Sequence, residues 1–179
     1  FIGVVLFYLG EFTSACAQLE HCVTLYDPQQ HHSHAVQYGQ DPWVVSRSFQ
    51  AWALWLLGYS DQALQRNHEA MAYAQELNHP LSLTFALHLS AIVHNARREP
   101  QIAEERADAV IRLASEHGLP YWSEQGTFAR GQVLVQNGQL KEGLMWMGQV
   151  VQAFRQEGRE RGRPAQLAML AAAYGSAGQ

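Results

Sequence analysis

The sequence predicts an all-α fold, a solenoid of antiparallel helix pairs built from about four units of roughly 40 residues. Three observations carry this prediction. A turn signature recurs as Leu9-Gly10-Glu11-Phe12, Leu57-Gly58-Tyr59-Ser60, Arg97-Arg98-Glu99-Pro100, Asn137-Gly138-Gln139-Leu140 and Ala177-Gly178-Gln179, at offsets of 48, 40, 40 and 40 residues. A second breaker falls between these turns, as Asn78-His79-Pro80, Gly118-Leu119-Pro120 and the run 158–164. Gly or Asn ends a helix there and Pro starts the next one. No segment sustains the alternation of a half-buried strand. A unit of this length cannot bury its apolar face alone, so copies stack and share one elongated core.

The units follow in order. Residues 1–26 form the first, opening on the apolar run Phe1-Ile2-Gly3-Val4-Val5-Leu6-Phe7-Tyr8-Leu9, which reads as half a helix. That run is far shorter than a bilayer span, and no basic segment precedes it as in a signal peptide. Residues 27–41 form an irregular insertion of eight extra residues, the difference between the 48- and 40-residue offsets. In the unit 42–79, Asp41-Pro42 supplies a cap and a first-turn proline, a helix runs over 43–57 to Gly58, and Ser60 or Asp61 caps a second helix ending near Leu77. The units 80–119 and 120–163 repeat the pattern, with helices over 80–96, 100–116, 120–137 and 140–157. A half unit, 164–179, ends the chain with a helix over 165–177. The whole is expected to be a single repeat domain, truncated at both ends, since it starts without Met and stops on a turn signal.

Composition excludes several function classes. Twelve basic and 16 acidic residues give a net charge of -4, and Lys141 is the only Lys, so no patch suits a nucleic-acid backbone and no membrane role is expected. Arg155, Arg159, Arg161 and Arg163 are interrupted by Glu157, Glu160 and Gly residues and read as a solvated loop. Cys16 and Cys22 form no disulfide framework, which points to a reducing, cytoplasmic compartment.

Small residues recur seven positions before the turn and five after it: Gly3 and Ala15, Ala51 and Ala63, Ala91 and Ala103, Gly131 and Gly143, with Ala171 before the last. This resembles the tetratricopeptide repeat, whose close helix crossing needs small residues at those two places. Four positions before the turn, where that family favours a large packing residue, stand Leu6, Leu54, His94, Leu134 and Tyr174. A closer likeness lies in Tyr38-Gly39-Gln40-Asp41-Pro42, in the stretch from Ala53-Leu54-Trp55 through Gly58-Tyr59-Ser60 to Ala63-Leu64, in Glu116-His117-Gly118-Leu119-Pro120-Tyr121-Trp122, and in Gly162-Arg163-Pro164. These look like the C-terminal repeat region of large bacterial signalling ATPases, often fused to a class III adenylate or guanylate cyclase or to a protein kinase domain. The resemblance implies a right-handed solenoid and an interaction and regulatory arm in signal transduction, with the nucleotide chemistry elsewhere in the parent protein.

The chain itself offers no phosphate-binding glycine loop and no nucleophile elbow. His31, His32 and His34 cluster in the insertion, but near-adjacent imidazoles on a loop are not pre-oriented for zinc, and no metal or cofactor is expected. Glu104, Glu105, Asp61, Glu69 and Glu76 read as exposed faces, with no carboxylate pair held across a bond. The expected function is therefore non-enzymatic. In the repeat family the first helix of each unit lines the inner groove, and alignment on the turn places Ser48, Trp52, Trp55, Phe85, His88, Asn95, Gln125, Phe128 and Gln132 there as candidate partner-binding residues. Aromatic area combined with amides suits a protein or peptide partner, or another part of the parent chain. Three readings stand side by side: this interaction module, a sensor arm with a small-effector pocket between the first helices, and a hydrolase or metal enzyme using the His-rich insertion.

Overall fold

A computed structural model describes residues 2–31, 33–159 and 163–176. Phe1, His32, the loop 160–162 and the last turn signal at 177–179 lie outside the described residues. The described residues form eleven helices and no strand. α1 (Ile2–Tyr8) and α2 (Phe12–Leu25) make the first pair, and α3 (Pro28–His31) and α4 (His34–Tyr38) occupy the insertion. α5 (Pro42–Leu56) pairs with α6 (Ser60–Glu76), α7 (Pro80–Ala96) with α8 (Pro100–Glu116), and α9 (Pro120–Gln136) with α10 (Leu140–Gln156); α11 (Arg163–Ser176) follows. From α5 to α11 each helix packs mainly on a sequence neighbour, and α2 packs on α5 across the insertion, the repeat-like arrangement that the 40-residue offsets predict.

The recurring turn is a helix stop of one geometry. Gly10, Gly58 and Gly138 take φ of 81°, 87° and 81°, and Arg98 takes 60° at the equivalent place. The next N–H then reaches back five residues: Glu11 to Leu6, Tyr59 to Leu54, Glu99 to His94 and Gln139 to Leu134, all at 2.9–3.0 Å. This bond satisfies a carbonyl that the helix end would otherwise orphan. It uses only the backbone, which is why His94 can stand among leucines in the series.

Small residues hold the crossings together. Ala51, Ala63, Ala91 and Ala103 are at most 1% exposed. At the glycine crossing the backbones approach so closely that a Cβ on Gly143 would lie 2.5 Å from the Gly131 carbonyl oxygen. Around these crossings α1, α5, α7 and α9 share an apolar layer in which rings run on from unit to unit. Phe7 meets Trp52 at 4.7 Å between centroids, Phe49 meets Phe85 at 5.8 Å, and Phe85 meets Trp122 at 5.6 Å. A second cluster, around Phe128, Met147, Val150 and Phe154, fills the space between α9, α10 and α11.

The insertion departs from the loop expected for it. Asp27-Pro28 repeats the cap-and-proline signature of Asp41-Pro42, and the Asp27 carboxylate accepts from the Gln29 N–H at 2.9 Å to start α3. The insertion is also anchored at its two ends. The Tyr26 hydroxyl donates to Asp41 at 2.5 Å, Tyr73 donates to Tyr26, and the Asp41 N–H donates to Ser82 at 2.9 Å. Asp41 is fully buried, and its other carboxylate oxygen caps α5 through the N–H groups of Trp43 and Val44. Burial and the bond to Asp41 raise the Tyr26 pKa, so its proton stays where the network needs it. Within the arginine run Arg159 departs from the solvated loop expected, while Arg155 is exposed and Arg161 lies outside the described residues. Arg159 is pinned by Glu124 at 2.6 Å and Glu157 at 2.8 Å and lies over the Phe154 ring, because a guanidinium can pack its flat face while its edge pairs.

No helix among the described residues is long and apolar enough to cross a membrane.

Candidate functional site: the first-helix layer

The first helices pack directly on one another, α1 on α5, α5 on α7 and α7 on α9, while α2, α6, α8 and α10 make no comparable contact among themselves. Helices that touch on one side and separate on the other bend an array toward the touching side. The 40-residue offset puts first-helix residues into rows across successive units, and exposure follows the rows.

Val45, Phe85 and Gln125 form a row that is 7%, 6% and 8% exposed. Phe85 and Gln125, candidates for partner contact, are thus interior packing residues. Phe85 sits between Phe49 and Trp122, and Gln125 accepts a hydrogen bond from Gln166 at 3.2 Å. Ser48 and Phe128 are also buried, at 2% and 4%, and between them in the row His88 is half-buried. Trp52, Ile92 and Gln132 make a half-buried row, and so do Trp55, Asn95 and Val135. Of the nine candidates, then, Trp52, Trp55, His88, Asn95 and Gln132 keep surface available, and Ser48, Phe85, Gln125 and Phe128 do not. A first helix has two flanks against its neighbours as well as one free face, and turn alignment alone does not separate them.

The structure adds Ile92, Val135 and Trp122 to the accessible set. Ile92 and Val135 follow from the 40-residue offset applied to Trp52 and Trp55. Trp122 had no such signal, because its equivalents are Pro42 and Ser82. It packs edge-on against both Phe85 and His88.

His88 lies at the centre of this layer with its Nδ1 shut off from solvent and without a hydrogen-bond partner. Burial pushes its pKa down to about 4, so the ring is neutral at physiological pH. His94, on the opposite side of α7, is buried and bonded at both nitrogens. Its Nδ1 lies 2.6 Å from Glu99 and its Nε2 3.2 Å from the Asn67 amide nitrogen, which also donates to Ser90 at 3.1 Å. That pattern fits a neutral ring donating from Nδ1 and accepting at Nε2. Desolvation outweighs the Glu99 carboxylate and lowers its pKa too.

A histidine whose pKa is lowered on folding stabilises the fold fully above its unfolded value near 6.5 and loses that contribution as pH falls toward the folded value. For His88 the window runs from about 6.5 to about 4, with a loss on the order of 2–3 kcal/mol. His88→Leu is therefore expected to flatten the fall of melting temperature between pH 6.5 and 4.5. Parallel pH profiles for the two chains would place the acid sensitivity elsewhere.

Other features carry less chemistry. His31 and His34 stack at 4.8 Å between centroids, and His31 Nδ1 accepts from the Asp27 N–H. Among the described residues no three His, Cys, Asp or Glu side chains converge as a metal site. Cys16 and Cys22 are both free thiols on α2. A cavity of about 260 Å³ opens among α1, α2 and α5, lined by Val4, Leu19, Cys22, Leu25 and Val45 with Gln18 and Ser46 at its polar edge.

No protein-family model matches the chain, and no curated protein matches it.

Proposed function

We propose that the chain is a non-enzymatic interaction and regulatory module, a right-handed tetratricopeptide-like solenoid that holds a protein partner, or another part of its own parent chain, on a concave face made by the first helices. The observation that carries this reading is the pair of half-buried rows, Trp52/Ile92/Gln132 and Trp55/Asn95/Val135, repeated over three successive first helices that pack on one another. Partly exposed aromatic and aliphatic side chains in register supply the kind of anchor that dominates protein recognition. The wording shared with repeat regions of bacterial signalling ATPases, in particular the stretch from Ala53 to Leu64, supports placing the module in a cytoplasmic signalling protein with its catalytic domains elsewhere.

The test is panning of a random 16-residue peptide library on the intact chain. Trp55→Ala and Ile92→Glu should each weaken the selected binders about tenfold. Glu105→Ala and Arg112→Ala, on the second helix of the same unit, should leave them unchanged. Binders that ignore the first-helix variants would refute the reading.

The cavity among α1, α2 and α5 favours a second reading, a sensor arm for a small effector. Its volume approaches the lower end of small-ligand sites, and apolar walls with a few polar atoms are their usual lining. A thermal shift with a small apolar compound that Val45→Trp abolishes would support it.

A further inference from the structure

Resting on the interaction reading above, we infer that the occupant of the first-helix face is the apolar side of an amphipathic helix, held without ion pairs. The first argument is charge. Arg47, Glu124 and Arg130 are the only Asp, Glu, Lys or Arg residues in α5, α7 and α9. Each is engaged elsewhere: Arg47 with Glu20 and Glu69, Glu124 with Arg159, and Arg130 with Glu104 and Asp108. His88, the remaining titratable group near the rows, is neutral above about pH 4. The second helices differ: α8 alone carries Glu104, Glu105, Arg106, Asp108, Arg112 and Glu116. A charged peptide or a terminal carboxylate would find no counter-charge on the first-helix face and would lose its hydration on binding.

The second argument is hydrogen bonding. An extended segment brings an unpaired N–H and C=O at nearly every residue, and leaving such a group buried without a partner is costly. Acceptors in the two rows are few: the Gln132 amide oxygen is one, whereas the Asn95 Oδ1 is shut off from solvent, and the Gln132 Nε2 is already turned to the Met169 sulfur at 3.3 Å. Trp52 and Trp55 add one indole N–H donor each, and Trp52, Trp55, Ile92 and Val135 together offer no acceptor for a peptide N–H. A helix satisfies its own backbone and presents only side chains, so it fits a surface rich in apolar area and poor in acceptors.

Synthetic copies of the library-selected peptides test this by titration against the intact chain, followed by circular dichroism and by intrinsic Trp fluorescence. Expected are apolar residues spaced i, i+3, i+4 and i+7, a gain of helical signal on binding, and a loss of about tenfold or more on placing Pro at the peptide's centre. Raising NaCl from about 0.05 to about 0.5 M should change the affinity by less than about threefold. Peptides that depend on Trp55 and Ile92 but bind in extended form, tolerate the central Pro, or weaken steeply with salt would overturn the helix inference while leaving the interaction reading intact. Peptides indifferent to Trp55 and Ile92 would end both.

Discussion

Replacing Gly143 by Leu is expected to destabilise the chain by more than about 3 kcal/mol, the upper end of overpacking penalties. The ground is backbone contact. A Cβ at position 143 would lie 2.5 Å from the Gly131 carbonyl oxygen, 2.7 Å from the Val135 Cγ2 and 2.8 Å from the Val135 nitrogen, and main-chain atoms of a packed helix cannot step aside as a side-chain tip can. Relief requires α9 and α10 to separate, which opens the cluster of Phe128, Leu144, Met147 and Phe154 between them. Gly148, five residues on in the same helix, has nothing within 4 Å of its hypothetical Cβ. Gly148→Ala should stabilise by about 0.5–1 kcal/mol, because alanine has less backbone freedom to lose in a helix. Ala63→Leu and Ala103→Leu, at fully buried crossings, should cost about 1–3 kcal/mol each. Thermal melts of the four variants read the order directly. Gly143→Leu melting with the parent chain would contradict the crossing geometry.

Phe128→Ala is expected to cost about 3–5 kcal/mol, as for a large ring removed from a packed interior. Phe128 is 4% exposed and sits against α10 and α11, so its loss leaves a cavity that fixed helices cannot close. Phe85→Ala should behave alike, since Phe85 joins Phe49 to Trp122 across three helices. Trp55→Ala, at a half-buried position, should cost less stability while lowering affinity for selected peptides more. This contrast separates packing from recognition within one helix layer. If Phe128→Ala kept the parent's melting temperature and lost only binding, Phe128 would belong to the binding face.

Much of the architecture was legible in the sequence because the features that define it are local. A glycine that can adopt positive φ, a proline at a first turn and an Asp before it act on their own few residues, and the helix ends followed within a residue or two; the cap expected at Ser60 or Asp61 did not form, because α6 already begins at Ser60 behind Tyr59, which makes no side-chain cap. Arg98 shows that the turn geometry outlasts the glycine: the 40-residue offset located it although its side chain argues against φ of 60°. The small-residue pairs were legible too, since a contact repeated in every unit leaves a repeated mark. The insertion was misjudged where Asp27-Pro28 carried the same local signal as Asp41-Pro42, so its short helices were within reach of the sequence.

The sequence by itself determined the all-helical class, the pairing of helices and the places where they cross. Only the tertiary structure decided which first-helix residues face outward. Phe85 and Phe128 are the same residue type as any aromatic anchor, and His88 and His94 are the same ring. Their roles depend on which neighbouring helix arrives at which side, a matter of crossing angle and distance between units that no local signal encodes. The anchoring of Tyr26 on Asp41, the pairing of Arg159 with Glu124 and the unpartnered Nδ1 of His88 likewise arise between residues far apart in the chain. Hydrogen bonding and burial act through space, so those assignments appear only when the units are stacked.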